Sequence, residues 1–167
     1  DINKVNNFGN SPLHYSAWAG DLPSFKLLSK KGADMFVENN RGNNPLQYVC
    51  MGGNSEILEY CVSIGVDLNT KSTSGSSLIL WAAYGGNLEM FKFLESKGMP
   101  YDDKDKDNSS TLFWAASGNA IDIVKYLVEE KKANVNETDD LGNIPLKSAI
   151  ERGAFDVVQY FLEKGAN

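Results

Sequence analysis

A chain of 167 residues, 42% hydrophobic and 23% charged, has the composition of one globular domain or a short repeat array. Its net charge of −6 and pI of 4.8 argue against nucleic-acid binding, which needs a basic face for phosphates. No run of about 18 apolar residues is present to insert in a membrane, and the opening stretch DINKVNN lacks the apolar core of a signal peptide.

Residues 1–5 read as the tail of a preceding unit, because DIN matches the VDLN at Val66–Asn69, which follows a closing glycine. The first full unit, 6–38, has Gly9 in a tight turn, where positive φ suits glycine. A short helix follows from Pro12, whose missing N–H costs nothing in a first turn, and it stops at Gly20. Asp21 is placed to cap a second helix, which buries Phe25 and Leu28 and closes at Gly32.

The unit at 39–71 repeats these parts with Gly42, Pro45, Gly53, Asn54 and Gly65, and buries Leu58 and Cys61. Its two cysteines, Cys50 and Cys61, match no disulfide framework or metal-ligand spacing. They read as buried free thiols of a protein in a reducing, cytoplasmic compartment. The unit at 72–104 has Gly75, Gly86, Asn87 and Gly98, with Leu78 in place of proline and Phe91 and Leu94 facing inward.

The unit at 105–138 departs most. Asn108 replaces the turn glycine, Thr111 the proline and Asn119 the helix-stop glycine, and an extra residue near Lys131 and Lys132 replaces the closing glycine. It should be the least stable interior unit. Its leading segment DKDKDN, Asp103–Asn108, begins like a calcium loop, but the twelfth position is Trp114 instead of a bidentate Glu. The last unit, 139–167, is regular again, with Gly142, Pro145, Gly153 and Gly165 and inward Val158 and Phe161. It is also apolar where the final unit of a free array is normally polar, so the sequence reads as part of a longer protein.

The apolar anchors of the five first helices, Leu13, Leu46, Ile79, Leu112 and Leu146, are spaced by 33, 33, 33 and 34 residues. Such a period means an array of supersecondary units. The copies GNSPLHYSAWAG with GAD at Gly32–Asp34, and GNIPLKSAIERG with GAN at Gly165–Asn167, resemble the ankyrin repeat. The resemblance covers the whole chain. It implies an all-α solenoid of stacked helix-turn-helix units, right-handed and gently curved, with projecting turn or hairpin loops. It also implies that His14 ties neighbouring turns together, where Gln47, Leu80, Phe113 and Lys147 occupy the equivalent positions.

In that arrangement one surface position holds Trp18, Met51, Tyr84, Ser117 and Glu151, and the next holds Ala19, Gly52, Gly85, Gly118 and Arg152. Three residues earlier on the same face stand Tyr15, Tyr48, Trp81, Trp114 and Ser148, either as inter-repeat core or as surface. Aromatics beside a smooth floor of small residues suit an interface hot spot. The turn tips add Phe8, Asn40, Arg41, Thr73, Lys104, Lys106, Asp107, Asp140 and Leu141.

No phosphate loop, nucleophile–base pair or paired acid and base is visible, so neither catalysis, cofactor nor metal is expected. The leading expectation is a monomeric module that binds a protein or peptide across the concave face and turn tips. Its candidate contacts are Trp18, Met51, Tyr84, Trp81, Trp114, Tyr48, Tyr15, Phe8, Arg41 and Arg152. The acidic net charge suggests a partner that is basic or neutral at its edges. The alternatives are a targeting region of a larger enzyme, such as a kinase or acyltransferase, and a structural spacer.

Overall fold

A computed structural model describes residues 1–167, with ten helices in five pairs and no strands. The pairs are α1 (Pro12–Ala19) with α2 (Leu22–Lys30), α3 (Pro45–Gly52) with α4 (Ser55–Ser63), and α5 (Leu78–Gly85) with α6 (Leu88–Ser96). They continue as α7 (Thr111–Ser117) with α8 (Ile121–Lys125), and α9 (Pro145–Glu151) with α10 (Phe155–Glu163). The first helices pack in sequence, α1 on α3, α3 on α5, α5 on α7 and α7 on α9, and the second helices form the outer layer. The molecule is an all-α repeat solenoid. Its loops are turns, with single bridging pairs at Lys71–Ser77 and Lys104–Ser110 in place of hairpin strands. No helix is long and apolar enough to cross a membrane.

The 33-residue spacing works because each anchor drops into the same buried slot. Leu13, Leu46, Ile79 and Leu112 are fully enclosed between layers, and Phe25, Phe91 and Phe161 fill the space under the second helices. Leu28 and Val158 are only partly buried. The Cys50 and Cys61 thiols are enclosed, and burial pushes Cys61 up to about 12 and Cys50 higher still, so both stay protonated and unreactive. Ile150 is 59% exposed on the outer face of the fifth pair, where Ala17, Cys50, Ala83 and Ala116 hold the equivalent buried position in the other four.

Two details differ from the sequence reading. Asp21 and Asn87 cap α2 and α6 by accepting from the Ser24 and Met90 amides, but Asn54 does not cap α4. Its amide turns back to donate to the Ala17 carbonyl of the preceding repeat at 3.4 Å. The row of small residues is exposed at Ala19, Gly52 and Gly85 and is also constrained by packing. A Cβ on Gly85 would strike the Met51 carbonyl and one on Gly118 the Tyr84 carbonyl, so the first helices of adjacent repeats approach through these two glycines.

The inserted residue of the fourth unit is absorbed as a π turn at Tyr126–Glu130 that continues α8. The Ala133 amide donates to Leu127 O across six residues, where Ala33 donates to Leu28 O across five. The wider turn restores the register. Lys132 then takes the closing-glycine position at φ +62°, and Asn108 and Asn119 hold φ of +62° and +55° in the same unit. On the outer layer, Glu95 accepts from the Tyr126 hydroxyl and pairs with Lys131. Glu129 likewise accepts from the Tyr160 hydroxyl at 3.0 Å and pairs with Lys164 at 3.2 Å.

Candidate partner-binding groove

The turns are built by one side chain each. The Asn6 Oδ1 accepts from the Phe8 and Asn10 amides, and the Asn39 Oδ1 from those of Arg41 and Asn43. Asp105 holds the Asp107 and Ser109 amides and Asp139 those of Leu141 and Asn143 in the same way. Short carboxylates and carboxamides suit this role because they bond the backbone two residues on. The remaining side-chain atom reaches the aromatic residue nine positions later. Asn6 Nδ2 donates to Tyr15 Oη at 2.8 Å, Asn39 Nδ2 donates to Tyr48 Oη at 3.1 Å, and Trp114 Nε1 donates to Asp105 Oδ2 at 2.9 Å.

Turn and aromatic are thereby locked together. Sequence reasoning passed over this column, although its nine-residue spacing to the aromatics recurs in three units. The third unit breaks the pattern: Ser72 is too short to reach, and Trp81 Nε1 is buried without a hydrogen-bond partner.

Tyr48, Trp81 and Trp114 are half-buried, each with one side against the core and the other on the surface. The aromatic column is therefore both inter-repeat packing and groove wall. Trp81 and Trp114 meet edge-to-face at 5.2 Å between ring centres, and Tyr84 completes a triad at 6.0 and 6.5 Å from them. Trp18 stands further along the same face, 65% exposed, with Tyr15 47% exposed beside it.

The face is a groove of about 740 Å³ whose lining includes Trp18, Met51, Tyr84, Trp81, Trp114, Tyr48, Tyr15, Phe8, Arg41 and Arg152. His14 and Phe113 reach it from the neighbouring column, and its only other charged residues are Asp105 and Asp139.

His14 is engaged on both ring nitrogens. Nδ1 lies 3.0 Å from the Ser11 amide, which can only donate, so Nδ1 accepts and Nε2–H donates to the Asn43 carbonyl at 3.0 Å. Burial holds its pKa below the ordinary 6.5, with the Asn43 bond opposing. Gln47 repeats the arrangement, accepting from Asn44 N at 2.8 Å and donating to Ser76 O at 3.4 Å. Lys147 donates to the Asn143 side chain instead. In DKDKDN the acids have separate duties. Asp103 pairs with Lys71 of the preceding unit at 2.8 Å, and Asp105 organises its own turn.

A comparison with curated proteins finds no match. The family profile described as ankyrin repeats (three copies) matches residues 13–105 and, overlapping, 79–167.

Proposed function

The chain belongs to the ankyrin-repeat family, and on that premise we propose that it binds a segment of a partner protein along the groove of its first helices and turn tips. Ankyrin repeats are generally protein–protein interaction modules. The observation that carries the finer reading is the gathering of Trp18 and the Trp81–Tyr84–Trp114 triad on one groove. Rigid rings on a fixed floor lose little entropy on binding and shed apolar area, at about 25 cal/mol per Å² removed from water.

Binding fits better than catalysis, because the imidazole and the carboxylates facing the groove are already engaged in its turns. His14, Asp105 and Asp139 hold turns together. The test is Trp18→Ala. It should weaken a partner isolated by cross-linking and titrated calorimetrically by about 1–3 kcal/mol. The same change should move stability by less than about 0.5 kcal/mol, since the ring is mostly in water. Full affinity in the variant would contradict the groove assignment.

A further inference from the structure

The charge of the groove differs from the charge of the chain. Of 16 basic residues only two are arginines, Arg41 and Arg152, and both line the groove. Both are exposed, and the four ion pairs of the molecule all use lysines. The two acids of the groove keep their charge but have their oxygens engaged: Asp105 accepts from two amides and the Trp114 indole, and Asp139 from two amides and the Asn143 side chain. The lining is thus balanced in formal charge where the whole chain carries −6, and its charged groups with free hydrogen-bonding atoms are the two guanidiniums.

The positions matter as much as the sign. Arg41 sits on the second repeat and Arg152 on the fifth, and the aromatic triad of the third and fourth repeats lies between them. Guanidinium is the side-chain cation matched to carboxylate by two parallel hydrogen bonds. Three repeats at roughly 10 Å per helix layer are spanned by about nine extended residues.

We propose that the groove receives a peptide segment with an apolar or aromatic centre and a carboxylate toward each end, one bound by Arg41 and the other by Arg152. This rests on the groove being the partner site. It reverses the basic edges that net charge alone suggests, because the free guanidinium donors act at contact range while distant surface charge is screened within about 10 Å.

The test is selection of a random 12-residue displayed peptide library on the 167-residue chain, followed by affinity measurement on variants. Enriched peptides should carry Asp or Glu on both sides of an apolar centre. They should lose about tenfold in affinity on Arg41→Ala and again on Arg152→Ala. The Arg41→Glu variant should prefer a lysine at the matching peptide end, which a merely structural role for Arg41 would not produce. Peptides that depend on Trp18 and Trp81 but show neutral or basic ends, or tolerate both arginine changes, would overturn this inference and leave the groove reading standing. No enrichment, or peptides indifferent to Trp18, Trp81 and both arginines, would overturn both.

Discussion

At the scale of single residues, His14 and Trp81 show opposite outcomes of burial. His14 has a donor and an acceptor in place only as the neutral Nε2–H tautomer, and protonation would remove the acceptor that Ser11 N needs. Because its pKa is lowered on folding, the unfolded chain takes up the proton first. The stabilisation is complete above the ordinary value of 6.5 and is lost as pH falls below it. His14→Gln, copying Gln47, should therefore narrow the drop in unfolding midpoint between pH 7 and pH 5. An unchanged drop would show that His14 does not titrate on unfolding. Trp81 instead lacks an acceptor, and an unsatisfied buried donor costs about 1–3 kcal/mol. Ser72→Asp restores the group found at Asp105 and should raise stability by about 1 kcal/mol in denaturant titration; a lower midpoint would refute this account. The slot of His14 was legible from the repeat register. The orphaned indole was not, because it depends on how far a serine reaches compared with an aspartate.

At the scale of elements, the fourth unit concentrates the strain. It alone places three non-glycine residues in the left-handed region, and it ends in the π turn. A left-handed conformation costs a residue with a Cβ about 1–2 kcal/mol, so Lys132→Gly should stabilise the chain by about 1 kcal/mol. Native-state hydrogen exchange should show residues 105–138 opening before the other interior units. The Glu129–Lys164 pair, about half exposed, opposes this opening only weakly. Protection in 105–138 above that in 39–71 would contradict the assignment. The missing glycines and the extra residue were visible in the sequence. How one extra residue would be accommodated was not, since a bulged loop and a widened helical turn have the same length.

At the scale of the whole molecule, translation by one repeat places equivalent side chains in a row, so the ten candidate residues share a groove that the 33-residue period made legible. Which of the groove's charged groups have free hydrogen-bonding atoms was not legible. Whether the oxygens of Asp105 and Asp139 are free or engaged depends on turn geometry, and the role of Gly85 and Gly118 depends on the distance between neighbouring helices. The chain has only three tryptophans, Trp18, Trp81 and Trp114, and all three line the groove, so tryptophan emission, excited beyond the tyrosine band, reports on that surface alone. Titration with a bound partner or selected peptide lacking tryptophan should shift the emission to the blue and reduce acrylamide quenching in proportion to occupancy. Saturating binding, established independently, with emission and quenching unchanged would place the partner elsewhere and contradict the account.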